Sequence, residues 1–345
     1  MTSRYGATRA DVDALLSEWG EPRYRADQVW DALYRQQIPL DDATALPRAL
    51  RERLTDAFPL ALDALVEQTA RDGMTSKWLW ACTRDQAQIE TVLMRYPERA
   101  TVCVSSQAGC AMGCTFCATG QAGFDRHLDV GEIVEQVLRA AQASPQRVSN
   151  VVFMGMGEPL ANYDTTWAAV HRLHDDLGIS ARRITISTVG VAPAIRRLAH
   201  EDLPVTLAVS LHAPTDEERS EIVPLNRRYP IAEVLDAAAE FAAAKGRRVT
   251  FEYACIAGVN DSIGQADALG RLLDAFPGAG GSHVNLIPLN PTDGFGGHAP
   301  TPPSIQVFAD RLRGHGVTAT VRRNRGTDIA AACGQLRSRE AMPSG

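Results

Sequence analysis

Apolar residues in the first part of the chain recur at helical spacing. Val12, Leu15, Leu16 and Trp19 form one set, and Val29, Trp30, Leu33 and Tyr34 the next. Pro47 opens a third helical stretch at 48–58, with Leu50 and Leu54 on one side. Gly20-Glu21-Pro22 and Ile38-Pro39 punctuate the three. Residues 1–72 are therefore expected to form a small all-helical accessory domain, without a catalytic side chain of its own, ahead of a second unit at 73–345. After Asp72-Gly73 the pattern changes, and residues 77–82 and 89–95 read as paired strands. From Thr101 onward, strand-like runs at 101–105, 150–154, 183–188, 205–211, 248–255, 283–288 and 317–322 alternate with helical ones. The helices are predicted at 129–143, 165–176, 193–200, 231–244, 263–276 and 304–314, the first opened by an Asp129–Glu132 capping box. This alternation predicts an α/β fold with a parallel sheet, closed or partly closed. Six or seven units suggest a partial barrel, in which chemistry sits in the loops after strand C-terminal ends.

Composition changes the picture little. Apolar residues make up 45% and charged residues 22%, the balance of a soluble globular protein. No apolar run is long enough to span a membrane, and the N-terminus has no apolar signal core, so neither a membrane nor an exported protein is expected. The 7 cysteines are odd in number and mostly bunched, which suits free thiols in a reducing cytoplasm rather than a disulfide framework. A net charge of −6 argues against a general nucleic-acid coat. Arg182-Arg183, Arg227-Arg228, Arg247-Arg248 and Arg322-Arg323-Asn324-Arg325 nevertheless permit local RNA contact.

Candidate chemistry starts at Cys110, Cys114 and Cys117, a C-x3-C-x2-C cluster directly after the predicted strand 101–105. Three thiolates on one short loop can hold three corners of a four-iron cluster and leave the last iron open to an exogenous ligand. A structural zinc site would want a fourth Cys or His at close spacing, and His127, ten residues on, stands alone. Unligated thiols are the third reading. A second motif, Met154-Gly155-Met156-Gly157-Glu158-Pro159, follows the strand 150–154. Its glycines allow a ligand close to the backbone, and Glu158 offers acceptors to an amino group. A glycine turn after a strand is common by itself. One strand beyond the cysteine cluster, it becomes informative.

Together the two motifs resemble the radical S-adenosylmethionine (SAM) superfamily. Ile89-Glu90-Thr91-Val92, Thr101 to Gln107, Ile186-Ser187-Thr188, Ser210-Leu211-His212, Leu286 to Pro291 and the terminal Arg325 to Leu336 resemble, more narrowly, the RlmN family. These are RNA adenine carbon-2 methyltransferases, and the likeness covers nearly the whole chain. It implies a partial (βα)6-type radical SAM barrel carrying the small helical domain. It also implies a [4Fe-4S] cluster on Cys110, Cys114 and Cys117, and SAM contacts at Gly157, Glu158, Ser187, Ser210, Leu211, His212 and Asn290. In the implied scheme one SAM methylates Cys333, and a second is cleaved to a radical that takes a hydrogen from that methyl group. The carbon radical adds to adenine, Cys103 resolves the covalent adduct by forming a disulfide with Cys333, and Glu90 accepts the ring proton. A resolving thiol works better as thiolate, so some lowering of the Cys103 pKa is expected. Gly-Thr-Asp before Cys333 and Gly334 after it suggest a flexible loop. Cys82 and Cys255 match no role and read as core thiols.

The resemblance further implies 23S ribosomal RNA and tRNA as substrates, base extrusion to reach the target, an external flavodoxin- or ferredoxin-like electron donor and a monomer. Competing readings are a Cfr-like carbon-8 methyltransferase, a radical SAM enzyme acting on a small molecule, and a non-catalytic metal-stabilised RNA-binding module. The small-molecule reading gives Cys103 and Cys333 no reason to act together.

Overall fold

The computed structural model describes residues 2–277 and 281–336; residues 337–345 of the predicted second unit lie outside that range. The chain opens with α1 (Arg9–Glu18), α2 (Tyr24–Trp30) and α3 (Arg48–Ala57). An antiparallel meander follows: β1 (Leu62–Thr69), β2 (Thr75–Cys82), β3 (Gln88–Tyr96) and β4 (Arg99–Cys103). A two-stranded ribbon, β5 (Gln107–Gly109) with β6 (Phe124–His127), encloses α4 (Ala118–Ala122). The alternating part then runs α5 (Val130–Gln142), β7 (Val148–Phe153), α6 (Tyr163–His171), β8 (Ile184–Thr188), α7 (Ala192–Ala199) and β9 (Thr206–Ser210). It continues through α8 (Asp216–Ile222), α9 (Ile231–Lys245), β10 (Val249–Cys255), α10 (Ile263–Asp274), β11 (Ser282–Pro288), α11 (Pro302–Gly314) and β12 (Thr318–Val321).

One sheet holds ten of these strands, in the order β1-β2-β3-β4-β7-β8-β9-β10-β11-β12. Every pairing from β4 to β12 is parallel, with helices in each of the crossovers. That makes six strand–helix units plus a last strand, the partial barrel expected. Among the described residues β12 pairs with β11 alone, so the barrel stays open between β12 and the meander. The sheet is covered because its strands point apolar side chains at the helices: Val249, Phe251, Tyr253 and Cys255 of β10 are all at most 1% exposed. On α9, Ile231, Val234, Ala237, Ala238, Phe241 and Ala242 form the apolar stripe that meets them. Cys82 and Cys255 lie in this core. No helix among the described residues is long and apolar enough to cross a membrane.

The helical reading of residues 1–72 is corrected at its end, where Leu62–Thr69 is a strand. Only Leu62 of that strand is buried, so hydrophobic alternation does not mark it; pairing with β2 defines it. The helices also do not have a core of their own. Val12, Leu16, Val29, Leu50 and Leu54 join the same buried cluster as the barrel. Trp30 Nε1 donates to Asp176 at 3.0 Å, and Glu135 of α5 accepts the amides of Ala61 and Leu62 at 2.8 and 3.3 Å.

The β5–β6 ribbon is held by charge. Arg126 of β6 forks onto Glu132 of α5 through two hydrogen bonds of 2.7 and 2.8 Å. Glu132 is 1% exposed and also completes the predicted capping box with Asp129. Removing the guanidinium would leave a buried carboxylate without its counter-charge. Arg126→Met is expected to cost about 3 kcal/mol, read as a lowered urea midpoint at unchanged slope.

Candidate active site

The C-terminal ends of the parallel strands surround a cleft of about 160 Å³. Cys110, Cys114, Cys117, Gly157, Glu158, Ser187, Ser210, His212, Asn290 and Cys333 all line it. Residues scattered over more than two hundred positions of sequence are thus brought to one place.

Cys110 follows β5, and Cys117 is the N-cap of α4. The chain turns just before Cys110, at Gly109, where φ is +73° and a Cβ would lie 2.2 Å from the Gly123 carbonyl oxygen; only glycine fits. The Cys110 amide donates to that same carbonyl at 2.6 Å, and the Cys117 amide to the Cys114 carbonyl at 3.2 Å. Burial pushes the Cys110 thiol up to about 12 and raises Cys114 as well. Buried thiolates at such positions need a cation beside them. No three His, Cys, Asp or Glu side chains among the described residues converge on a single metal ion. Three soft thiols on one short loop at the mouth of the cleft are a donor set suited to three irons of a four-iron cluster.

The Gly-Glu turn leaves β7 and packs against β4 and β5. A Cβ on Gly155 would meet the Val104 carbonyl oxygen at 2.6 Å, and one on Gly157 would meet Gln107 Cβ at 2.5 Å. Gln107 Oε1 accepts the Glu158 amide at 2.8 Å. Glu158 itself is buried, and its carboxylate accepts the amides of Leu160 at 3.0 Å and Val189 at 2.8 Å. Burial lifts its pKa to about 7, against the pull of those two amides. Its first task is thus to lock the β7 turn to the loop after β8. The oxygens keep further lone pairs towards the cleft.

Ser187 and Ser210 sit at or next to the ends of β8 and β9 and face the cleft. The Leu211 side chain is instead fully buried in the core, which leaves only its backbone near the site. His212 has φ +63°, uncommon for a residue with a Cβ. Its Nδ1 accepts the Ala254 amide at 3.0 Å, which assigns the proton to Nε2, and burial pushes its pKa down to about 3. His212 is therefore a neutral donor, not a base. Arg219, fully buried, donates to the carbonyls of Leu211, Val189 and Ser210 and to Asn226 Oδ1, at 2.6–3.1 Å. It binds the β8 and β9 loops together, and burial pushes its pKa down to about 10, which still leaves it cationic near Cys114. Nothing in the sequence pattern singled it out.

A second chamber, about 240 Å³, also borders Cys333 and shares Met154 and Arg322 with the cleft. Cys103, at the end of β4, lines it, as do Val92, Tyr96 and residues 322–325. Both cysteines are free thiols. The expected lowering of the Cys103 pKa is not found. Burial pushes it up to about 12, the neighbouring Cys333 adds to that, and Arg322 opposes it.

Cys333 does not sit on a loose loop either. Asn290 Nδ2 donates to its carbonyl at 3.0 Å, the Ala118 amide to the Gly334 carbonyl at 2.8 Å, and Thr119 Oγ1 to the Leu336 carbonyl at 2.6 Å. Asn290 is thus occupied as a tether; its Oδ1 accepts Asn324 Nδ2 at 2.7 Å. Glu90 lies two residues before Val92, on the same face of β3, and is 3% exposed. Its Oε1 is 2.7 Å from Lys77 Nζ, and that ammonium also donates to the Ala330 carbonyl at 3.3 Å. Sequence reasoning also passed over Lys77 and the buried Glu252, whose carboxylate accepts Asn285 Nδ2 at 2.8 Å, and it named Arg322 only within an arginine run that permits RNA contact.

Residues 104–266 match the Radical SAM superfamily. A probable dual-specificity RNA methyltransferase RlmN from Parafrankia sp. is 54% identical over 350 residues, covering 95% of this chain and 90% of its own. The protein of the same description from Corynebacterium diphtheriae is 52% identical over 339 residues, covering 95% and 91%. A crystal structure of a radical SAM methyltransferase from Sphaerobacter thermophilus superposes with a TM-score of 0.93 at 48% identity, over 98% of this chain and 100% of that one.

The raised Cys103 pKa has a direct chemical readout. In the intact protein Cys103 is expected to react with iodoacetamide slowly at neutral pH, and faster by about tenfold per pH unit up to alkaline pH. Site-resolved mass spectrometry measures this; fast labelling at pH 7 would contradict the burial.

Proposed function

The chain belongs to the RlmN family of radical SAM RNA methyltransferases, and from there we propose that it methylates carbon 2 of adenosine in 23S ribosomal RNA and in tRNA. The observation that carries this reading is the common wall: Cys333 borders both the cleft of the cysteine trio and the chamber of Cys103. A carbon-8 enzyme would use the same parts, and carbon 2 is chosen on the closeness of the relatives. The reaction would take place in the cytoplasm, in a monomer served by a flavodoxin- or ferredoxin-like donor.

In this reading Cys110, Cys114 and Cys117 hold a [4Fe-4S] cluster. Bound there, the cluster and SAM supply an electron and a radical able to take hydrogen from an unactivated methyl group. The remaining work falls to the chain. Gly157, with no side chain to intrude, lets SAM approach the β7 turn, and Glu158 presents acceptors to its amino group. Ser187, Ser210 and the Nε2–H of His212 supply polar contacts around the cleft, and the backbone at Leu211 holds the β9 end against β10. Asn290 fixes Cys333 at the wall by its carbonyl.

Cys333 would take a methyl group from one SAM by displacement, and a second SAM would supply the radical that removes a hydrogen from it. The sulfur-bound methylene radical would add to the base and join Cys333 to RNA, and the adduct would give its unpaired electron back to the electron carrier. Glu90 would take the ring proton, and the Cys103 thiolate would attack the Cys333 sulfur to form the disulfide, the released methylene carbon taking up a proton to become the methyl group. Lys77 supplies a positive charge 2.7 Å from the Glu90 carboxylate and ties it to the Cys333 segment through the Ala330 carbonyl. Helices α1–α3 and the arginine-rich segments are available to hold RNA.

Two experiments test the reading. Mass spectrometry of anaerobically prepared, cluster-replete protein should find one methyl group on Cys333, and Cys110→Ala should lack it. An unmodified Cys333 in replete enzyme exposed to SAM sinks the mechanism. With RNA, Cys103→Ala should accumulate a covalent enzyme–RNA adduct on a denaturing gel. Lys77→Met should accumulate the same adduct through proton removal slowed about a hundredfold, with partial rescue by Lys77→Arg. Clean turnover by Cys103→Ala refutes the resolving role.

A further inference from the structure

The second chamber opens past a group of guanidinium ions. Arg322 and Arg323 follow the end of β12, and both line the chamber together with Asn324 and Arg325. Arg325 lies over the ring of Tyr96, 4.5 Å from its centroid, and Arg99 lies over the same ring at 4.7 Å. Tyr96 and Arg99 face each other across the β3–β4 turn, and Tyr96 is itself a chamber residue. One aromatic ring therefore gathers two cations from strands and tail that are far apart in sequence.

Some arginines are paired: Arg126 with Asp85 and Glu132, Arg196 with Glu233 and Glu240, Arg311 with Asp267. Others are not, among them Arg219, which spends its donors on carbonyls and Asn226 instead. Among the described residues none of Arg99, Arg322, Arg323 and Arg325 has a carboxylate within ion-pair distance. Like charges crowded on one ring repel each other, and an anion arriving between them relieves that cost. A guanidinium stacked on an aromatic face keeps its N–H edge free, and that edge matches a phosphate.

Two of the other arginine pairs are placed differently. Arg182-Arg183 directly precedes β8, and Arg247-Arg248 precedes β10, at the N-terminal ends of the strands and on the rim opposite the cleft. Arg247 also spends its donors on the Pro204 carbonyl and Thr206 Oγ1.

We propose that Arg99 and Arg325, stacked on Tyr96, together with Arg323, form a phosphate-binding mouth for single-stranded RNA on either side of the base that enters the second chamber. The proposal rests on the methyltransferase reading for its substrate. Backbone phosphates held there would direct the extruded nucleotide inward, past Arg322, to Cys103 and Cys333.

The test is equilibrium binding of an unmodified tRNA transcript to the cluster-replete enzyme across a salt series. The logarithm of the affinity should fall with the logarithm of salt, and each phosphate contact removed should lower that slope by about 0.7–0.9. Arg99→Ala with Arg325→Ala should lower the slope by about 1.5 and weaken binding about tenfold at low salt. The double lysine variant should keep the slope while losing part of the affinity, which separates lost charge from a misfolded surface. Arg182→Ala with Arg183→Ala should bind like wild type. Unchanged affinity and slope in the double alanine variant, or an equal loss in the Arg182/Arg183 control, overturns the proposal. Wild type that binds with the expected slope yet never methylates the transcript would instead sink the methyltransferase reading and leave the mouth standing.

Discussion

The arrangement at the strand ends depends on how the tail crosses the open edge of the barrel. β12 pairs with β11 only, among the described residues, and the meander of β1–β4 lies across the gap. Residues 322–336 bridge it through polar contacts. Asn324 bonds the Pro288 carbonyl and Asn290, Asn290 bonds the Cys333 carbonyl, and Lys77 bonds the Ala330 carbonyl. At the other end Asp328 accepts the Arg71 amide at 2.9 Å. These bonds pin the backbone at several points along the segment, so the tail has one favoured course. Cys333 reaches the wall between two chambers as a consequence of that course.

Charge follows a similar logic. Thiols on both sides of the wall are buried, and burial raises Cys103, Cys110 and Cys114 alike. Such sulfurs are unreactive until something positive stands beside them. The fold supplies two cations for the purpose. Arg219, with no ion-pair partner among the described residues, faces the trio, while Arg322 stands near Cys333, Glu252 and Cys103. The net charge of −6, which argued against nucleic acid, is an average over the whole surface and does not report what one opening presents.

Much of this was legible from periodicity. The six strand–helix units and the Asp129–Glu132 box were predicted close to where they lie, because buried parallel strands and amphipathic helices write strong patterns. β1 was not legible: with Leu62 alone buried, its pairing is backbone chemistry that leaves no mark on side-chain pattern. The cysteine trio could be read from spacing, but Cys103 and Cys333 came together only through family resemblance. Leu211 and Asn290 show the limit of carrying residues over. Both lie where expected, yet one turns into the core and the other is engaged as a tether. Arg219 and Lys77 were missed because a single basic residue has no signature until its acceptors are known.

The shared wall also bears on how two incompatible chemistries can coexist. Methylating a thiol needs a sulfur close to a sulfonium, while adding a carbon to a base needs that sulfur close to RNA. A mobile segment could shuttle between the two, but every ordered turn lost and regained costs conformational entropy, about 1–2 kcal/mol per residue. Here the thiol borders both chambers at once and its backbone is tethered on each side. A change of side-chain rotamer would suffice in place of a loop movement. In the proposed scheme Cys103 would be the partner thiol; it opposes Val92 across the β3–β4 pairing, and burial holds its pKa up, so its proton would have to leave before it could attack.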